Sequence, residues 1–189
     1  MGISESLIGH LIELRSRLVN SVIALLLVFV CLFPFAADLY AILAQPMLAK
    51  LPLGGQMIAT DVTTPFFVPL KVAMMAALLI SLPYILFQLW RFVAPGLYVH
   101  EKKMVLPLVV ASSLLFYSGM AFAYFAVFPV VFGFITASAP QGVAVMTDID
   151  KYLSFVIGLF MAFGMAFQVP VAVILLVRVG MVSVQKLRE

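Results

Sequence analysis

The sequence predicts an all-α membrane protein: a kinked bundle of four transmembrane helices, with both termini cytoplasmic and a structured cap on the outer side. Three observations carry this prediction. Hydrophobic residues fill 65% of 189 positions and charged residues only 10%, with mean hydropathy +1.22. A soluble domain of this size is about one quarter charged and cannot cover so much apolar surface. Four apolar runs, near 18–36, 67–90, 104–132 and 152–177, match or exceed the roughly 20 residues that cross a bilayer. The bases between the runs are lopsided. Arg15, Arg17, Arg91, Lys102, Lys103, Arg178, Lys186 and Arg188 fall on one side, and Lys50, Lys71 and Lys151 on the other. Positive connections stay in the cytoplasm, so the first group marks that side.

Each element follows in order. Residues 1–17 read as a cytoplasmic amphipathic helix running into the first span. His10, Glu13 and Arg17 recur at helical spacing on one face, beside a stripe of Leu7, Leu11, Leu14 and Leu18. No cleavable signal peptide is read here, since a basic start and a small-residue cleavage site are lacking. Span one covers 18–36; its Cys31, the lone cysteine, is a small packing residue. Segment 37–66 is the cap. Leu39, Tyr40, Ile42, Leu43, Met47 and Leu48 suit an interfacial helix that Gln45-Pro46 breaks or bends. Pro52-Leu53-Gly54-Gly55 reads as a turn, and Met57 to Thr63 as an alternating, partly β-branched stretch.

Span two covers 67–90 and the cytoplasmic loop 91–103. Span three covers 104–132, followed by the outer loop 133–151. Span four covers 152–177, and 178–189 is a cytoplasmic tail. Pro34, Pro69, Pro83, Pro107, Pro129 and Pro170 lie inside the spans or near their ends. A proline there kinks the helix and frees backbone groups that a neighbour must satisfy. No Gly-x-x-x-Gly pattern dominates a span.

Two acids stand out in basic, cytoplasmic sequence: Glu13 and Glu101. Two carboxylates on a positive face suit a cationic ligand. Arginine is the better fit, because its planar fork bonds a carboxylate through two N–H groups. A plainer alternative stands beside this, in which Glu13 only pairs with Arg17 on the helix surface. Gln168 is the conspicuous polar side chain within a span. It either bonds backbone freed by Pro170 or makes an interhelical contact, with a partner's helix or a further span. Ser112, Ser113, Ser118 and Ser154 can bond their own helix backbone.

Nothing in the sequence points to an enzyme. No metal-ligand cluster, phosphate loop or nucleophile–histidine pair is present, and no cofactor is expected. The bases flank apolar runs and form no stripe, so nucleic acid is not an expected partner. A small-solute transporter is the rival class, but only Gln168 offers it a polar path. An inert membrane fragment is the blandest reading.

The stretches His10-Leu11-Ile12-Glu13-Leu14-Arg15-Ser16-Arg17-Leu18, Met57 to Asp61 and Phe92-Val93-Ala94-Pro95-Gly96-Leu97-Tyr98 with Glu101 closely resemble the TatC family. So do Ser113 to Phe125, and Phe163-Gly164 with Val169-Pro170-Val171. TatC proteins are the multispanning receptor subunits of the twin-arginine protein translocase. The resemblance implies binding of twin-arginine signal peptides of folded proteins, and export across the bacterial inner membrane driven by the proton-motive force. It implies partnership with TatA, TatB, other TatC copies and membrane lipid. By position it implies that Glu13 and Glu101 engage the paired arginines, with Arg17 and Phe92 in the same surface. Pro46 and Asp61 correspond to sensitive positions in the periplasmic cap. Gln168 matches a polar, often Glu, intramembrane position that packs against TatA or TatB; Gln there removes a titratable group. The family has six spans and this sequence ends after four, so a fragment or truncated product is expected.

Overall fold

A computed structural model of the chain describes residues 2–48, 57–97, 105–138 and 146–178. The turn expected at Pro52–Gly55, the segment around Pro140, the tail and Glu101 lie outside those residues. Seven α-helices are described, and with their linking turns they make four stretches long and apolar enough to cross a membrane. The first stretch is α1 (Gly2–Leu32), a 3-10 turn (Phe33–Phe35) and α2 (Ala36–Leu48). The second is one long helix, α3 (Thr64–Leu97). The third is α4 (Val105–Phe122), a π-turn (Ala123–Val127) and α5 (Phe128–Ala137). The fourth is α6 (Ile149–Ala166) and α7 (Val169–Arg178). The all-α, four-span bundle expected from the sequence is what forms.

The breaks follow the prolines, each in its own way. Pro34 sits in the 3-10 turn between α1 and α2. Pro129 opens α5 directly after the π-turn, where the Phe128 N–H reaches back to the Ala123 carbonyl. Pro170 follows the turn at Phe167–Gln168 that separates α6 from α7. α3 is different. It runs unbroken through Pro69, Pro83 and Pro95. Pro83 has no N–H for the carbonyl four residues earlier, that of Leu79. The Tyr117 hydroxyl of α4 donates to that carbonyl at 2.6 Å. An orphaned carbonyl costs about 1–3 kcal/mol, so this bond offsets the proline's defect. Of the two alternatives for α2, a break is excluded. Gln45-Pro46 does not end the helix, which continues to Leu48.

An Asx turn leads into α3, and a side-chain cap starts α6. Asp61 Oδ1 accepts from the Thr63 N–H and hydroxyl, both at 2.9 Å. The Thr63 carbonyl then takes the Phe66 and Phe67 N–H groups, with Pro65 in the first turn. At α6, Asp148 accepts from the N–H groups of Asp150 and Lys151. Met57–Ile58 (β1) pairs in parallel with Thr147–Asp148 (β2). The alternating stretch is therefore only two residues of strand, and it ties the start of α3 to the start of α6.

The apolar core lies toward this tied end. Leu43 of α2, Val68, Val72 and Met75 of α3, Phe128 and Phe132 of α5, and Leu153, Val156 and Phe160 of α6 are buried together. Phe128 stacks on Phe160 with ring centroids 5.3 Å apart. The Tyr152 hydroxyl is buried and donates to the Leu43 carbonyl at 2.9 Å. α4 crosses α6 at two glycines. A Cβ on Gly119 would lie 2.5 Å from the Phe163 carbonyl oxygen, and one on Gly164 would strike the Phe116 ring. Apolar residues such as Leu11, Leu27, Leu114 and Phe125 stay exposed on the outside. Acyl chains are the solvent that tolerates such a surface.

Candidate functional site

The end of the bundle away from the strands is where α1 lies against the second half of α3. His10, Glu13 and Arg17 do share one helix face, and that face meets α3. The His10 ring stacks on Phe92, with centroids 4.3 Å apart and planes 23° from parallel. One turn on, Arg17 Nε and Nη2 donate to Glu13 Oε1 at 3.0 and 2.5 Å. Arg17 Nη1 donates to Gln88 Oε1 at 3.1 Å. Gln88 Nε2 in turn donates to the Tyr84 hydroxyl at 2.7 Å. Glu13 and Arg17 are the i, i+4 pair of the plainer reading, but the pair is not isolated. It belongs to a four-residue chain across two helices.

Burial grades along this chain. The Glu13 side chain is 36% exposed, that of Arg17 17%, and Gln88 only 7%. The carboxylate is therefore the open end and the amide the closed one. Both Arg17 bonds fall on a single carboxylate oxygen. Glu13 Oε2 takes no bond from a described residue.

Gln168 makes an interhelical bond, but within this chain. Its Nε2 donates to the Ser112 carbonyl of α4 at 2.7 Å. Ser112 is buried, and its hydroxyl accepts from Trp90 Nε1 at 3.1 Å. This serine thus joins α3 to the α6–α7 turn. Ser113 and Ser118 bond the carbonyls of Val109 and Leu114 on their own helix, as expected.

At the opposite end, Asp148 is the centre. Its Oδ1 caps α6 through the N–H groups of Asp150 (2.9 Å) and Lys151 (3.0 Å). Its Oδ2 accepts from the Thr60 hydroxyl (2.6 Å) and N–H (3.0 Å). These bonds, that of the Thr60 hydroxyl above all, hold its pKa down at about 2. Asp61 is lowered too, first by the Thr63 N–H and then by the Thr63 hydroxyl. Lys71 of α3 pairs with Asp150 at 2.5 Å. Pro46 lies in the backbone of α2 near this end.

The sequence does not single out Gln88, Tyr84 or Trp90, and Ser112, expected to bond its own helix backbone, takes the Trp90 N–H from α3. Gln88 and Tyr84 sit four residues apart near a span end, where polar residues cost little and draw no notice. Their spacing was a usable signal, because it places both on one face of α3.

Comparison with known proteins bears on the whole chain. A family profile described as Sec-independent protein translocase protein (TatC) matches residues 9–189. The TatC protein of Escherichia coli strain K12 is 55% identical over 186 residues, 98% of this chain and 72% of that protein. The TatC protein of Aquifex aeolicus is 38% identical over 180 residues, 94% of this chain and 75% of that protein. A crystal structure of the twin-arginine translocase receptor TatC superimposes with TM-score 0.85 at 38% identity, covering 95% of this chain and 79% of that one. Four apolar helices, a kinked all-α bundle and a match over nearly the full sequence agree: this chain belongs to the TatC family of Sec-independent protein translocase proteins.

Proposed function

We propose that this translocase component is the receptor that reads the paired arginines of signal peptides on folded export substrates. The observation that carries the reading is the state of Glu13. It is a part-exposed carboxylate at the α1–α3 seam that already holds one guanidinium through one oxygen. The seam therefore has the chemistry to take another guanidinium, on the other oxygen or by exchange. Arg17 and Phe92 line the same surface. Glu101 is assigned the second signal arginine by its place in the family motif.

The other assignments follow from position. Asp61 starts α3 and, with Pro46, belongs to a periplasmic cap. Gln168 offers its Oε1, which bonds no described residue, to a helix of TatA or TatB. With no titratable proton, it acts as a hydrogen-bonding group only. The chain works as a multi-pass core subunit of the bacterial inner membrane, N-terminus cytoplasmic, assembled with TatA, TatB and further TatC copies in lipid.

The test is binding of a fluorescent paired-arginine peptide to the chain in phospholipid nanodiscs. A hydrogen bond to a charged group is worth about 1.5–3 kcal/mol, so Glu13→Ala is expected to weaken binding by at least about tenfold. Glu13→Asp is expected to be milder. A paired-lysine peptide is expected to bind less well, because lysine lacks the planar fork. Undiminished binding by Glu13→Ala would overturn the reading.

A further inference from the structure

Glu13 is not waiting empty for its ligand. Arg17 occupies one of its two oxygens, and Arg17 is itself divided between two acceptors: Glu13 Oε1, through Nε and Nη2, and Gln88 Oε1, through Nη1 at 3.1 Å. Gln88 is almost wholly buried, and its amide is fixed at both ends. The carbonyl faces Arg17 and the NH2 group faces Tyr84. Gln88 therefore presents an oriented acceptor to a guanidinium that a carboxylate also claims.

We propose that Gln88 is a positioning residue that sets how strongly Arg17 masks Glu13. The inference rests on the signal-peptide reading above. Arg17 acts as a built-in occupant of the site. An incoming arginine exchanges with it, and Arg17 withdraws toward Gln88 without losing every acceptor. The exchange keeps the carboxylate compensated throughout, which matters at a membrane edge where an unpaired charge is costly. It also bears on specificity. A lysine offers one compact charge against the two N–H groups of Arg17, so it displaces the internal occupant less well than arginine does.

Two substitutions at one position give opposite expectations. Gln88→Leu removes the second acceptor and leaves Arg17 wholly to Glu13. The paired-arginine peptide is then expected to bind about tenfold more weakly, the scale of one hydrogen bond to a charged group. Gln88→Glu places a competing carboxylate beside Arg17 and draws it off Glu13. The same peptide is expected to bind more tightly, again by about tenfold, with a larger gain than the paired-lysine peptide shows. A merely structural role predicts losses, or no change, in both variants. Shifts in the same direction, or no shift in either, would overturn the proposal.

Should either variant fail to fold in nanodiscs, Tyr84→Phe carries the test. It releases the far end of the Gln88 amide and is expected to weaken binding by about threefold; unchanged binding overturns the proposal. Glu13→Ala is measured alongside. If it too binds normally, the signal-peptide reading itself fails. If it loses binding while the Gln88 variants match the parent, only the role of Gln88 falls.

Discussion

Asp148 does two jobs with two oxygens. One caps α6, and the other clasps Thr60, 88 positions away in sequence. The first job was legible, because an aspartate at the start of a helix is a cap. The second was not, because nothing local to Asp148 names Thr60. The clasp has a pH consequence with a definite sign. Its folded pKa of about 2 lies below the ordinary 3.8, so its stabilisation is complete above about pH 4. It is lost as pH falls through about 2, where the folded state must also take up the proton. Asp61 is shifted the same way. The unfolding temperature of the protein in detergent is expected to drop between about pH 4 and about pH 2. Asp148→Asn is expected to lower it at neutral pH and to flatten part of that acid slope. A variant with the parent's acid slope would show that the clasp does not couple to folding. The same distinction between local and distant signals holds at the other end. Glu13 and Arg17 were visible as an i, i+4 pair, whereas Gln88 entered only when α3 came alongside.

At the scale of elements, prolines and glycines decide how the helices break and touch. Six prolines mark expected kinks or span ends, and three of the four stretches do break at one of them, Pro34, Pro129 or Pro170. The sequence does not tell these from Pro83, which leaves α3 intact. The difference lies with Tyr117 on the neighbouring helix, which satisfies the carbonyl that Pro83 abandons. The packing role of Gly119 and Gly164 has no such local signal, because no Gly-x-x-x-Gly pair flags them. They face each other's helices at the α4–α6 crossing. Gly119→Ala pushes a methyl against Phe163 backbone, which cannot rotate away. It is expected to cost about 1–3 kcal/mol, the usual penalty of overpacking. Gly164→Ala meets only the outer atoms of the Phe116 ring and is expected to cost less. Urea or thermal unfolding of both variants checks the order. Equal or reversed costs would mean that α4 and α6 approach less closely than described.

For the whole molecule, charge is segregated by end. Arg15, Arg17 and Arg91 lie toward the end of the bundle where α1 meets the second half of α3, while Lys71 and Lys151 lie with Asp61, Asp148 and Asp150 at the strand end. From this asymmetry the positive-inside rule predicts the seam on the cytoplasmic side and the strands outside. Val62 is 98% exposed beside the strands and makes a suitable reporter. In a Cys31→Ser background, Val62→Cys is expected to react with a membrane-impermeant maleimide added to intact spheroplasts. Ser4→Cys is expected to react only after the membrane is opened. The reverse pattern would invert the topology and remove Glu13 from the side where signal peptides arrive.

The solvent, the class and the number of spans are readable in the sequence. Those follow from composition, run length and proline placement, which are properties of single segments. The sequence also places His10, Glu13 and Arg17 on one face, because helical periodicity is local. What that face meets depends on how the helices pack. The sharing of Arg17 between Glu13 and Gln88, the Ser112 link from Trp90 to Gln168 and the Thr60–Asp148 clasp each join residues far apart in the chain. Hydrogen bonds select partners by distance and direction within a few ångströms. Those distances exist only once the helices have packed.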